Sequence, residues 1–387
     1  MTVLTVRHTT PSFRTYSGEN ALDLLSRELD RPRPHRVMLM CGASMLSHRE
    51  ALERVESALG ERLVARFAEA REHSPLPAVE KARELLVDSG ATAVVALGGG
   101  SAVVTARAAV ILAGEGGDIR DLCTRRAEDG RMISPRLSAP KVPIWVVPST
   151  PTTAYAKAGA AVRDPATGER LALFDPKARA AGVVFDPVVA STAPAALARS
   201  SALNAFAMAV DGMQSTRGNP LAEALLGQAL TVLGTWIGRI DEGPGPEAAV
   251  QLMFGALLAG QGSDHAGTGL AQALSHALGP RSTVGNGVVE ALLLPHTIRF
   301  NLGVTDGAMI RIARVLGVVG AESPSLAIAA VEEVLTSARI PRRLREVGIE
   351  QADLPDVVDH TLRDWAVTAV PRPASSEDLR QILDQAW

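Results

Sequence analysis

The sequence predicts an α/β domain built on a parallel sheet, followed by an all-helical domain, and three observations carry that prediction. The stretch Ala91–Gly114 reads ATAVVALGGGSAVVTARAAVILAG: a short apolar run over Thr92–Leu97, then Gly98, Gly99, Gly100 and Ser101, then an alanine-rich apolar segment. That is a strand, a tight turn and a helix. The segments before it alternate between strand and helix, the rhythm of a parallel sheet covered on both faces. Beyond Pro187 apolar residues recur only at three- and four-residue intervals, which is helical spacing. The expected division is therefore residues 1–187 for the α/β part and 188–387 for the helical part.

Taken in order, residues 1–17 read as a short strand and turn, and Asn20–Leu29 as an amphipathic helix with Leu22, Leu24, Leu25 and Leu29 on its apolar side. Val37–Cys41 is a buried-strand run, Ser47–Ala58 a helix, Leu63–Phe67 a strand, and Pro77–Ser89 a helix with proline in its first turn. Gly114–Pro140, rich in Gly, Arg and Asp, reads as a solvated connection with one short helix. Val142–Val147 is another buried strand; Ala158–Arg163 and Arg170–Phe174, separated by DPATGE, form a hairpin, and Gly182–Phe185 is a last strand. Helices are expected over Leu203–Gln214, Leu221–Arg239, Glu247–Gly262, Gly269–Leu278, Val288–Asn301, Ala308–Leu316, Leu326–Ala338 and Ser376–Ala386.

Composition narrows the function classes. With 47% hydrophobic and 21% charged residues over 387 positions, the chain can bury two sizeable cores, and disorder is not expected. A formal net charge of −3 supplies no basic field for nucleic acid or an acidic membrane surface, and 3% aromatics argue against base stacking. Cys41 and Cys123 are too few for a disulfide framework or a cysteine metal cage, and MTVLTVRHTTPSF has no apolar signal core, so a reducing, cytoplasmic setting is expected. No run is expected to reach membrane-span length; Ala248–Ala259 and Val289–Pro295 read as buried helix.

The glycine turn is the first chemical signal. Without Cβ atoms, Gly98, Gly99 and Gly100 let the backbone turn sharply and let a diphosphate approach its N–H groups, and the helix starting near Ser101 directs the positive end of its dipole there. The spacing is not G-x-G-x-x-G, and such a turn can also be purely structural.

Several further segments, in the same order along the chain, carry a resemblance: the strand ending VVPST, the hairpin and VFDP junction, SALNAFAMAVDG, GLAQALSHALG, VEALLLPHTIRFN and the terminal VPRPASSEDLRQIL. Together they resemble the iron-containing alcohol dehydrogenase family, which shares its fold with dehydroquinate synthase. EHSPLPAVEKARE and Asn204 in place of an aspartate are similar to the maleylacetate reductase branch. The resemblance implies a Rossmann-like nucleotide-binding domain for NADH or NADPH, a dehydroquinate synthase-like helical domain, and a homodimer.

In that family a divalent ion is held by an aspartate and a histidine four apart on one helix and by two later histidines. The matching positions here are Asn204, Met208, Gln272 and Asn286. Neutral amides and a thioether are poor ligands for Fe(II) or Zn(II), so no catalytic metal is expected. Hydrogen-bond donors then have to polarise a substrate carbonyl: the amide groups of Asn204, Gln272 and Asn286, with His276, which matches the second histidine of the family's H-x-x-x-H pair, as proton donor. The plainer readings are that the amides fill a lost site, that Met208 is packing, and that His276 bonds a neighbouring carbonyl in a helix core. Tyr155, Lys157 and His265 are further candidates for the site.

The loop after the strand ending at Pro148 reads PSTPTTAYA where the family has a P-T-T-A-G-T-G-S-E-like run. Ser149 and Thr150 are kept as cofactor contacts; Tyr155 is either an acid–base group or an exposed loop residue. Val104 and Arg107 stand where members carry aspartate and lysine, Arg107 either keeping a charge near the diphosphate or lying solvated on its helix. Gly42 stands where an acidic residue often holds the adenosine ribose, which leaves NAD against NADP open. The expected activity is reduction of a carbonyl or conjugated enone in a small molecule, in the cleft such domains form. A non-redox isomerisation, dehydration or cyclisation is the alternative, and a non-catalytic homologue the third reading.

Overall fold

The buried apolar runs become a sheet. In the computed structural model, which describes residues 6, 8–127, 131–240, 243 and 245–387, the first part of the chain runs β1 (Arg14–Ser17), α1 (Ala21–Leu29), β2 (Val37–Cys41), α2 (Arg49–Leu59), β3 (Leu63–Phe67), α3 (Leu76–Asp88), β4 (Ala93–Gly98) and α4 (Gly100–Glu115). It continues through the short α5 (Ile119–Leu122), β5 (Arg125–Arg126), β6 (Met132–Ile133), β7 (Ile144–Pro148), β8 (Gly159–Arg163), β9 (Arg170–Phe174), β10 (Ala180–Phe185) and the short α6 (Pro187–Ala190). The rest is helical: α7 (Ala195–Gln214), α8 (Pro220–Trp236), α9 (Pro246–Ala266), α10 (Leu270–Leu278), α11 (Asn286–Asn301), α12 (Asp306–Val315), α13 (Ser325–Ser337), α14 (Leu354–Arg363) and α15 (Ser376–Ala386).

Internal contacts divide the chain into an α/β unit, Pro11–Thr150 with Ala154–Thr192, and a helical unit, Pro151–Thr153 with Ala193–Trp387 and the described residues before Pro11. In the α/β unit six strands pair in parallel in the order β1-β10-β7-β4-β2-β3, and two hairpins, β5–β6 and β8–β9, are antiparallel. Alternate residues Val37, Leu39 and Cys41 of β2 and Ala93, Val95 and Leu97 of β4 join α1 and α2 in one core. α3 and α4 bury Val79 and Ile111 against Val162 and Leu171 of the β8–β9 hairpin in a second. Each such side chain contributes about 1.5–3 kcal/mol on burial. Gly182 is obligatory in β10, between β1 and β7, since a Cβ there would lie 2.5 Å from both the Arg14 carbonyl and the Trp145 ring.

Strand order decides where a ligand belongs. From β2 the chain steps outward to β3, then returns past β2 to β4 and builds away on the other side. The reversal lies between β2 and β4, and a crevice opens at the carboxyl ends of the two strands flanking such a reversal. Those ends are Cys41–Gly42 and Gly98.

Some expectations need correcting. The helix expected over Ser47–Ala58 starts at Arg49, after a tight 3₁₀ turn at Ala43–Ser47. The connection Gly114–Pro140 is not wholly solvated, because Ile119 and Cys123 are buried in the second core; residues 128–130 lie outside the described set, as do 1–5 and 7 of the expected N-terminal strand. α14 was not expected, although Leu354, Val357, Val358 and Thr361 form its buried stripe. Pro220–Arg239 is, by length and composition, long and apolar enough to cross a bilayer, contrary to the expectation for such runs. Its Ala222, Leu226, Ala229, Leu230 and Leu233 are buried within the helical unit, where α8 packs on α9.

Candidate functional site

The α/β unit gathers every cofactor candidate at the carboxyl end of the sheet. β4 pairs with β2 through Leu97 and Cys41, and with β7 through Gly98 and Pro148, so Gly42, Gly98–Ser101, Ser149 and Thr150 all follow the carboxyl ends of three adjacent strands. Gly98 has φ +131°, a conformation that side chains rarely adopt, and its carbonyl accepts from the Ser149 N–H at 3.0 Å. Gly99, the N-cap of α4, offers no capping side chain, and a Cβ there would lie 3.2 Å from Thr150 Oγ1. The first turn of a sixteen-residue helix thus opens onto a bare backbone cradle, the arrangement a diphosphate needs. At the end of β2, Gly42 caps the Ala43–Ser47 turn and carries no carboxylate to engage or repel a ribose substituent. The residues present fit NADH or NADPH.

A nearby strained segment holds this turn. His73 and Ser74 have φ of 61° and 45°, and the buried Ser74 hydroxyl donates to the Ser101 carbonyl at 3.4 Å while accepting from Thr105 Oγ1 at 3.1 Å.

Two expectations in this unit are corrected. Arg107 is neither solvated nor aimed at a diphosphate: it is fully buried, and its guanidinium donates to the carbonyls of Ala178 (3.2 Å), Gly159 (2.8 Å) and Ala154 (2.7 Å). Tyr155 is not an exposed loop residue. Its ring is fully buried, edge-on to Phe185 at 5.9 Å, and burial pushes its phenol well above the ordinary tyrosine range.

In the helical unit, α7, α10 and α11 converge. Gly287 makes this possible, because a Cβ there would collide with the Ser200 carbonyl and the Asn204 backbone, so α7 and α11 approach backbone to backbone. Asn204, Met208 and Asp211 follow one another along one face of α7; Gln272 and His276 share a face of α10, and Asn286 and Glu290 a face of α11. The Asn204 amide donates to Glu290, and Asn286 Nδ2 donates to Ser275 Oγ at 3.3 Å, so one N–H of each amide is already committed. Thr153 Oγ1 donates to Met208 Sδ at 3.5 Å. Gln272 Oε1 and Glu290 Oε1 are buried without a hydrogen-bond partner.

Asp211 and Glu290 were not anticipated, although an acid inside AVDGM or VVEALLLP was a readable signal. Burial pushes the Asp211 carboxyl up to about 7, against the pull of the Gln272, Gly269 and Ala271 N–H groups at the start of α10. Burial and the Asp211 charge push Glu290 well above the usual carboxylate range, with the Asn204 amide acting in the opposite sense. His276 bonds not a backbone carbonyl but a carboxylate: its Nδ1 lies 2.8 Å from Asp364 Oδ2. His265 sits near the end of α9 with its ring stacked on His8 at 3.7 Å, so that face is already covered.

The residues at the four positions implied for a metal do not fit one. Their donors are three neutral amides, two with an N–H committed elsewhere, and a thioether receiving a hydroxyl proton; Fe(II) and Zn(II) favour imidazole, carboxylate or thiolate. Among the described residues, no group of three or more His, Cys, Asp or Glu gathers as a cation would need.

Comparison with known proteins places this geometry. The family model for iron-containing alcohol dehydrogenase matches residues 11–187, and that for the C-terminal part of the Fe-containing alcohol dehydrogenase family matches 198–387. Maleylacetate reductase 1 of Cupriavidus pinatubonensis (strain JMP 134 / LMG 1197) is 28% identical over 377 residues, covering 97% of this chain and 95% of its own. Lactaldehyde reductase of Escherichia coli (strain K12) is 30% identical over 324 residues, covering 81% of this chain and 82% of its own. A crystal structure of 1,3-propanediol oxidoreductase shares the fold with a TM-score of 0.88 at 23% identity, covering 96% of this chain and 97% of that one. The two family models together span nearly the whole chain, leaving residues 188–197 between them, and the protein is an enzyme of the NAD-dependent oxidoreductase class: the chain belongs to the iron-containing alcohol dehydrogenase family.

Proposed function

We propose that the protein reduces a carbonyl or conjugated enone of a small molecule with NADH or NADPH, as a maleylacetate reductase-like enzyme, and does so without a metal ion. The observation that carries this reading is the occupancy of the four metal positions by Asn204, Met208, Gln272 and Asn286 on the helices that also bring His276. The reduced nicotinamide, when bound, is the hydride source. Gly98–Ser101 admits the diphosphate to the first amides of α4, and Ser149 and Thr150 line the adjoining strand end. Gly42 excludes neither cofactor. The remaining amide N–H groups of Asn204, Asn286 and Gln272 are the donors for the substrate oxygen, and His276 is the proton donor. A cytoplasmic homodimer acting on a small molecule, with no nucleic-acid or membrane partner, is part of the same reading.

Fluorescence titration with NADH and NADPH, followed by cofactor oxidation with a panel of small carbonyl compounds, tests it. Saturable binding with substrate-dependent oxidation is the expected result. Turnover of a substrate without cofactor oxidation would transfer the protein to the non-redox class. Neither binding nor turnover would leave a non-catalytic homologue.

A further inference from the structure

We propose that Asp364 is a positioning residue for His276: by accepting the Nδ1 proton it fixes the ring's tautomer and leaves Nε2 as the nitrogen that hands a proton to the substrate oxygen. The proposal rests on the reductase reading above and adds to it the residue on which the proton donor depends.

Asp364 stands at the junction between α14 and a tight turn over Trp365–Ala369. Its backbone N–H donates to the Thr361 carbonyl at 3.0 Å, and its Oδ1 accepts from the Ala366 N–H at 2.8 Å. With the backbone and one carboxylate oxygen pinned, the second oxygen is aimed, and it meets His276 Nδ1 at 2.8 Å. An ionised carboxylate can only accept, so the ring carries hydrogen at Nδ1 whether the imidazole is neutral or charged. Both side chains are about seven-eighths buried, at 15% and 13% exposure, which keeps water from competing for the pair while leaving the ring a route to solvent protons. The Trp365 ring, tilted 40° at 6.1 Å, flanks the imidazole.

The proton balance follows. A bound reduced nicotinamide would supply the hydride that forms the C–H bond and would itself be left oxidised, and the Nε2–H bond of the imidazolium breaks as the substrate oxygen gains O–H. The ring is left neutral with hydrogen at Nδ1, the form Asp364 holds. A solvent proton then restores Nε2–H without any ring flip or tautomer exchange. In the reverse direction the same arrangement presents a free Nε2 lone pair to an alcohol.

Asp364→Asn tests this, because the amide keeps the side-chain volume and an oxygen for Ala366 but can turn an N–H₂ toward Nδ1. We expect kcat to fall on the order of 100- to 1,000-fold, with KM for the carbonyl within about threefold, a melting temperature close to that of the parent, and partial recovery in Asp364→Glu. Nitrogen-15 spectra of the histidine-labelled protein, with His276→Gln for assignment, should show hydrogen at Nδ1 of His276 in the parent and its loss in Asp364→Asn. Turnover of Asp364→Asn within about threefold of the parent overturns the proposal. So does a neutral His276 with hydrogen on Nε2 in the parent, an outcome that stands even where the variant does not fold. If neither cofactor is oxidised with any carbonyl, the reductase reading and the transfer step fall together, while the spectrum still reports separately whether Asp364 holds the ring.

Discussion

An imidazole works as an acid only when one of its nitrogens is turned to the substrate and kept there, and at His276 that depends on a carboxylate 88 residues further along the chain. Replacing His276 with alanine should lower kcat by roughly 100-fold or more while moving the melting temperature by less than about 4 °C. A large loss of stability with ordinary turnover, measured by calorimetry and cofactor oxidation, would make the residue structural. A second histidine gives a pH signature. Burial, with Arg299 and Arg343 nearby and Glu332 opposing them, lowers His296 to about 4. The unfolded chain therefore binds this proton more readily, and stability present above about pH 6.5 is lost as pH falls toward 4. In His296→Gln that part of the acid destabilisation should be missing, as denaturant midpoints at pH 7 and pH 4.5 can show. The residue scale is also where the sequence was least legible. His276 stood out because its spacing from Gln272 matched a known pattern, whereas Asp364, Glu290 and the burial of Tyr155 depend on partners far away in the chain, and no local pattern announces them.

Elements were more legible than their contacts. Val37–Cys41, Leu63–Phe67 and the Gly98 turn are readable because strand propensity, glycine and helix onset are local properties. α14 has the apolar spacing of a helix in Leu354, Val357, Val358 and Thr361, but it is short, with proline in its first turn, and so passes for a connection. Two glycines lend themselves to tests of element placement. Gly287→Ala puts a methyl where α7 and α11 touch; despite the higher helix propensity of alanine it should destabilise the protein by about 1–3 kcal/mol in chemical denaturation. Gly99→Ala is sterically milder, since its φ of −82° suits any residue and the nearest atom is Thr150 Oγ1 at 3.2 Å. Folding should survive while the dissociation constant for NADH or NADPH rises about tenfold, as read by cofactor fluorescence; unchanged affinity would place the diphosphate elsewhere.

At the scale of the whole molecule, the sequence supported a sheet domain followed by helices, but not the strand order, because parallel pairings are set by crossovers that leave no mark in a linear pattern. That order puts the chain reversal between Gly42 and Gly98, which makes the cofactor reading geometric as well as compositional. The metal reading also belongs to this scale. Elemental analysis of purified protein should find iron and zinc well below one equivalent, and a chelator should leave turnover unchanged; a tightly held equivalent of either would reverse the assignment of the α7–α10–α11 cluster. Light scattering should return the mass of two chains.

Arg107 binds the Ala154, Gly159 and Ala178 carbonyls, so a single buried guanidinium ties α4 to the loop after β7, to the start of β8 and to the turn before β10. A planar fork that meets three oxygens cannot be exchanged for a lysine without abandoning some of them. A lysine there would strand buried acceptors in stretches far apart along the chain, so one substitution would loosen three connections at once.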